Sequence, residues 1–526
     1  MKQTGTQSDH SRLEGLDPAG TGRVFWNLGT AALCERAVAR GEARLSDSGA
    51  LVVTSAQSGQ EVRVALVDDE AGESGEASVQ ASPDAAAPNR VGALTRPHFE
   101  ALKADLLAYV GRRTLFGQDL CVETGAGRRL SLRVLSDQAW HALFIRHLLR
   151  PCAAAEGGET APRFTVLCAP GFHPTPETHG VAAEGTLALD LANGLALIAG
   201  TARSEAIRAA LAQLLEGPLM DAGVLRLEGA AATAPTGNVV LFLGAAGAGK
   251  STLAATLAKG QAVGGAPSHL ADGALGWGED GLIALENVPY SRPADLAQPA
   301  QEAHAAPGFG AVLENIALDP ASRTPDLAEA ANTDMSRVIL AQPSTEGARE
   351  PSLGPPAHLF VLVQDASGTL PAIARLTPAQ ALGCCLAGMD TVPVLAERHA
   401  ARLHHLLTQH APQCWLVNTG WIGGAAGVGQ RVALEASRRL VDAAQAGELA
   451  SGEWRTDPHF GFDVPAALEG VDPRLLDPAK AWANRVDHTV AARRLAGQFA
   501  GRLARIEAAL SQEAQGAQTG MVLAAE

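Results

Sequence analysis

Lys250, Ser251 and Thr252 close the run Gly244-Ala245-Ala246-Gly247-Ala248-Gly249-Lys250-Ser251-Thr252, whose spacing fits G-x-x-x-x-G-K-[ST]. That spacing is suited to binding phosphate. Glycines let successive backbone N–H groups turn inward around phosphate oxygens, the lysine reaches the β- and γ-phosphates, and the next hydroxyl ligates Mg²⁺. The apolar run 238–243 before the loop reads as a buried strand, and 251–258 after it reads as the opening of a helix. The N-terminus of that helix adds partial positive charge to the anion site. Gly244, Gly247, Gly249, Lys250, Ser251 and Thr252 are therefore expected to hold a nucleotide.

The elements around this loop must be built from 526 residues, enough for two or more domains with large cores. Hydrophobic residues make up 47% of the chain, yet none of its runs approaches the ~18 uncharged apolar residues that cross a bilayer. The opening MKQTGTQSDH lacks the apolar stretch of a signal peptide, so a cytoplasmic protein is expected. A net charge of −15 argues against nucleic acid or an anionic membrane as partner, and an anionic ligand then needs local cations or a metal. The seven cysteines contain no C-x-x-C spacing and read as reduced, mostly buried thiols.

Strand and helix patterns alternate along the chain. Apolar strands are expected over 164–168, 185–190, 195–199, 239–243, 359–364 and 414–418, and helices over 96–111 and 136–149. Polar stretches rich in turn formers read as linkers at 67–90, at 341–357 and beyond about 511. The pattern implies α/β (mixed α+β) architecture, with a boundary at 220–235 that puts the phosphate loop early in a C-terminal nucleotide lobe.

Other segments resemble the ATP-dependent phosphoenolpyruvate carboxykinases. Residues 139–146 (AWHALFIR) resemble the WHALF helix of that family, and 164–172 (FTVLCAPGF) its strand and turn. Residues 309–316 (FGAVLENI), 375–381 (RLTPAQA) and the run 414–424 (CWLVNTGWIGG) with 427–431 (GVGQR) follow further family segments in order. The resemblance implies a two-lobed carboxykinase-type fold. The expected lobes are 1–222 and 223–510, with 67–92 flexible and 511–526 a tail on composition. The resemblance also implies nucleotide and metals in the cleft between lobes, and conversion of oxaloacetate and ATP to phosphoenolpyruvate, CO₂ and ADP.

Carried over residue by residue, the nucleotide half is kept. Lys250, Ser251 and Thr252 match, Arg431 matches an arginine set against the nucleotide, Arg292 replaces a lysine, and Ser437 replaces a threonine beside the base. Asp272 retains one aspartate and is expected to hold Mg²⁺ with Ser251. The substrate half departs from the family. The three ligands of the second metal, typically Mn²⁺, fall on Ala209, Arg226 and Gly273. The substrate-binding arginine is missing around 57–61, and the arginine that contacts the transferring phosphate is Asp334. Alanine and glycine offer no side-chain ligand, and a cationic arginine repels a metal.

The chain is accordingly expected to bind ATP and Mg²⁺ and to phosphorylate an unknown acceptor, with oxaloacetate decarboxylation lost. Lys250, Arg226 and Asp272 are the expected catalytic residues, and Arg203, Arg208 and Arg226 a possible new anion cluster. A non-catalytic, nucleotide-binding regulatory protein with a partner protein is one alternative. An active carboxykinase in gluconeogenesis, with a rearranged site drawing on Asp365, His173, His179 or Asp334, is another. His173 and His179 otherwise read as solvated loop residues, His141 as buried, and Trp415 and Trp421 as packing residues.

Overall fold

The computed structural model describes residues 2–4, 22–55, 62–68, 91–125, 127–152, 163–182, 185–258, 270–293, 307–330, 335–341, 352–386 and 396–501. The fold is mixed α/β, and the chain divides into two compact units, 1–222 with 285–347 and 223–284 with 348–526.

The first unit is built on a large mixed sheet. Its central strands are Thr114–Glu123, Arg129–Ser136, Phe164–Ala169, Leu195–Ala199 and Thr186–Asp190, hydrogen-bonded in that order. Phe164–Ala169, Thr186–Asp190 and Leu195–Ala199 are buried along their whole length, which is why they read as mostly apolar runs without a polar alternation. The helix Arg96–Val110 buries Phe99, Leu102, Leu106 and Val110 against this sheet, at the i, i+3, i+7 and i+11 spacing of one helix face.

A second, smaller sheet in this unit explains an exception to chain order. Val312–Glu314 runs parallel to Leu51–Val53 and antiparallel to Arg337–Ile339. Segment 285–347, which a single boundary near 222 assigns to the nucleotide lobe, therefore packs with the N-terminal chain. Short strands of three residues carry too little pattern to announce such pairing.

The second unit contains the phosphate loop. Its sheet runs Ser352–Gly354, Gly281–Ala284, Leu270–Gly278, Leu225–Thr233, Val239–Gly244, Pro356–Val363, Gln413–Asn418, Ile373–Leu376, Asp463–Pro465, Trp454–Thr456. Val239–Gly244, Pro356–Val363 and Gln413–Asn418 form a parallel centre and are almost wholly buried. Phe242, Phe360 and Trp415 stack in series across it, and Trp415 continues onto Trp454.

Two expected linkers end sooner than their composition suggested. Residues 67 and 68 complete the strand Arg63–Asp68, and 91–92 open Val91–Thr95, its parallel neighbour. Likewise Ser352–Gly354 and the start of Pro356–Val363 are strands at the end of the 341–357 stretch. Sheet pairing supplies there the order that local composition lacks. Residues 69–90, 342–351 and the tail beyond 511 lie outside the described residues.

Candidate functional site

The phosphate loop lies where a buried parallel strand meets a helix. Val239–Gly244 ends at the loop, and Lys250–Ala258 begins a helix that buries Leu253, Ala254, Ala255 and Leu257. Gly244 has φ +147°, and a Cβ added there would lie 2.4 Å from the carbonyl oxygen of Leu362 on the next strand. Only glycine permits that approach. Gly247 and Gly249 have φ of +77° and +96°, turning the loop backbone in the sense that a phosphate cradle needs.

Side chains from neighbouring strands pin the loop. Gln364 donates from Nε2 to the Gly247 carbonyl (2.6 Å), and Thr419 donates from Oγ1 to the Ala248 carbonyl (2.9 Å). Lys250 Nζ donates to the carbonyls of Gly244 (2.8 Å) and Ala245 (3.0 Å), holding its ammonium over the loop. Ser251 Oγ donates to Asp272 Oδ1 at 2.9 Å. Two hard oxygen donors thus stand together at the start of the helix, a donor set that fits Mg²⁺.

Two further expected nucleotide contacts belong to the same unit. Arg431 is exposed, donates from Nε to the Thr419 carbonyl (3.3 Å) and stacks over Trp421 at 5.7 Å, so one residue links it to the loop. Ser437 is buried in the helix Leu434–Gln445 and donates to the Ala433 carbonyl of its own helix at 3.3 Å. Arg292 lies in the first unit, just beyond Tyr290–Ser291. Thr252 is half-buried in the first turn of the loop helix.

A cavity of about 700 Å³ opens beside the loop, lined by Gly244, Ala245, Gln364, Cys384, Cys385 and Arg494 among others. Burial pushes the Cys384 thiol up to about 12 and Cys385 well above its ordinary value. Neither is a thiolate at neutral pH, in keeping with the inert role read from the sequence. Asp365 also lines the cavity, but its carboxylate accepts from Ser367, from the Thr369 amide (2.6 Å) and from the Leu370 amide (2.8 Å). It organises a turn, a use that sequence reading did not foresee.

The arginines expected to form an anion cluster are each matched by a carboxylate. Arg226 pairs with Glu228 on its own strand, Arg203 with Glu205, and Arg208 with Glu286 through two hydrogen bonds of 2.7 and 3.1 Å. The alternation of a strand puts residues 226 and 228 on one face, where their opposite charges meet. Gly273 lies opposite Gly229 with φ +117°, a conformation that L side chains rarely adopt. Ala209 is in the helix Ser204–Asp221. Among the described residues no group of three or more His, Cys, Asp or Glu is placed to hold a metal ion. Asp334 and residues 57–61 lie outside the described residues.

The histidines divide. His173 is exposed, but His179 is buried, accepting from the Thr175 amide (2.8 Å) and meeting Asp105 at 3.1 Å, so the solvated reading fails for it. The Pro176–His179 helical turn folds the ring inward against Phe172. His141 is fully buried between Ser136 Oγ (2.9 Å) and the Ala202 carbonyl (2.7 Å), and burial holds it down to about 4. Trp415 is buried in the core stack, whereas Trp421 is half-buried beneath Arg431.

Comparison with known proteins agrees with the segment matches. A family model described as phosphoenolpyruvate carboxykinase matches residues 22–392 and 384–474. A phosphoenolpyruvate carboxykinase (ATP) from Agrobacterium fabrum is 35% identical over 554 aligned positions, covering 98% of this chain and 99% of its own. Proteins of the same name from Mesorhizobium japonicum and Rhodopseudomonas palustris are each 34% identical, with both chains fully covered. No helix among the described residues is long and apolar enough to cross a membrane.

Proposed function

The chain belongs to the ATP-dependent phosphoenolpyruvate carboxykinase family, and from that premise we propose that it transfers the γ-phosphoryl group of Mg²⁺-bound ATP to an acceptor other than oxaloacetate. The observation that carries the nucleotide half is the Ser251–Asp272 hydrogen bond of 2.9 Å beside the glycine loop. When bound, Mg²⁺ there would neutralise charge on the β- and γ-phosphates. The loop amides orient the phosphate oxygens, and Lys250 supplies a fixed positive charge as negative charge moves onto the leaving ADP.

The acceptor half rests on three positions. Ala209 offers no ligand atom, Arg226 is cationic and engaged by Glu228, and Gly273 combines the loss of a carboxylate with a backbone at φ +117°. The family's second metal finds no replacement ligand in these residues, so no step is assigned to it.

A second reading is the family's own reaction, from oxaloacetate and ATP to phosphoenolpyruvate, CO₂ and ADP. It is favoured by relatives that bear the carboxykinase (ATP) name over full-length alignments. One assay separates the readings: purified protein with ATP, Mg²⁺ and Mn²⁺, with and without oxaloacetate, following ADP and phosphoenolpyruvate against a Lys250→Ala blank. ADP without phosphoenolpyruvate is the expected result. Phosphoenolpyruvate above the blank would establish the second reading. Neither product, with ATP still bound, would point to a nucleotide-dependent regulatory protein.

A further inference from the structure

Two of the seven cysteines, Cys121 and Cys152, face each other across paired strands, and the other five are buried elsewhere. Cys121 lies on Thr114–Glu123, and Cys152 follows the short edge strand Arg150–Pro151. The register pairs Leu120 with Pro151 and Cys121 with Arg150. The Cys152 amide donates to the Asp119 carbonyl at 3.0 Å, extending the ladder by one residue. Cys152 is therefore opposite Asp119 and on the same sheet face as Cys121, diagonal to it across the antiparallel strands. The two sulfurs are in hydrogen-bonding contact.

We propose that Cys121 and Cys152 are a redox-modification site that closes to a reversible disulfide. Access is asymmetric, since Cys152 is exposed and Cys121 is buried. Their titration is asymmetric in the same sense. The hydrogen bond from Cys121, opposed by burial and by Asp119 and Glu123 and helped by Arg129, lowers the Cys152 thiol from its ordinary value. The same contact, followed by burial, raises Cys121. Cys152 is then the attacking sulfur and Cys121 the resolving one. Asp119 also faces this pair, but its carboxylate is occupied by Arg133 Nε (2.7 Å) and Asn27 (3.1 Å).

With a peroxide as oxidant, the Cys152 thiolate attacks one peroxide oxygen, giving a sulfenic acid and releasing hydroxide, which takes up a proton as water. The Cys121 sulfur, losing its proton, then attacks the sulfenic sulfur and displaces its hydroxyl as a second water. Two thiols lose two electrons, and the hydrogen peroxide gains them. A dithiol reverses the change by thiol–disulfide exchange. The bond closes a loop of about thirty residues, so the oxidised chain should resist unfolding more than the reduced one.

The test uses the full chain treated with hydrogen peroxide while folded, then denatured and alkylated with N-ethylmaleimide, digested and read by mass spectrometry. The expected result is loss of two alkylatable thiols, a peptide pair linked through Cys121 and Cys152, recovery with dithiothreitol, and a higher melting temperature when oxidised. Cys152→Ser, an exposed change with little bearing on folding, should abolish the linked pair and leave Cys121 alkylatable. Cys121→Ser should leave Cys152 to proceed to sulfinic acid. The proposal is overturned if wild-type Cys152 reaches sulfinic acid while Cys121 stays alkylated. It is equally overturned if Cys152 links elsewhere, or if all seven thiols survive excess peroxide.

Discussion

Ser251 Oγ and Asp272 Oδ1 lie 2.9 Å apart, tying the start of the phosphate-loop helix to a strand two positions away in the sheet. Twenty-one residues separate them, and the Leu270–Gly278 strand brings the carboxylate back beside the hydroxyl. If this pair holds Mg²⁺, Asp272→Ala should weaken ATP binding about 10- to 100-fold with Mg²⁺ present, the scale on which groups supporting a metal act. It should change binding in EDTA little. Calorimetric titration under both conditions decides it. Equal losses in the two would assign Asp272 to loop structure.

Gly244→Ala tests the loop backbone. The added methyl would meet the Leu362 carbonyl at 2.4 Å with φ near +147°, so strand and loop must separate. A stability loss of roughly 1–3 kcal/mol is expected from such strain, with weaker ATP binding. Urea unfolding measures the first and calorimetry the second. A variant as stable as the parent would show that the loop relaxes freely.

Much of this site was legible because its signals are local. Gly244 to Thr252 is contiguous, and the flanking strand and helix carry apolar patterns, so Lys250 and Ser251 emerged from spacing alone, whereas Asp272, on a later strand, emerged only through the family resemblance. Less was legible where contacts cross the chain. Glu286 neutralises Arg208 from 78 residues away, and Glu314 reaches Ser204 across 110, spacings that leave no periodic trace. Composition also misled. Residues 67–68 and 352–354 adjoin polar stretches rich in turn formers, yet neighbouring strands order them by main-chain hydrogen bonds that any residue except proline can donate.

Gly273→Asp asks whether a lost ligand can be restored by one change. At φ +117° an aspartate is strained, and a cost of roughly 1–3 kcal/mol is expected. Arg226, held by Glu228, remains as a cation on the paired strand. The single variant should therefore be less stable and gain no Mn²⁺ affinity, as followed by electron paramagnetic resonance of free Mn²⁺. Tight Mn²⁺ binding by this variant would mean that the backbone rearranges and that the second-metal site is recoverable.

Asp137 gives the protein a pH dependence of definite sign. It is buried, its Oδ1 has no hydrogen-bond partner, the Arg113 guanidinium is 3.9 Å from its Oδ2, and Arg40 donates to its main-chain carbonyl at 2.9 Å. Burial raises its carboxyl to about 6, with Arg113 opposing and Glu42 adding to the rise. The folded chain thus holds this proton more tightly than the unfolded chain, whose value is near 3.8. Stability from this group falls as pH climbs from about 4 to 6, and above that window the buried charge costs roughly 3 kcal/mol at most. Asp137→Asn keeps the shape and removes the charge. It should be more stable than the parent at pH 7 by about 1–3 kcal/mol, with the advantage shrinking toward zero near pH 4. Urea unfolding of both proteins across pH 4–7 measures the difference directly, so other titrating groups, such as His141, cancel between them. A constant difference across that range would mean that Asp137 is charged throughout and that Arg113 and Arg40 compensate its burial.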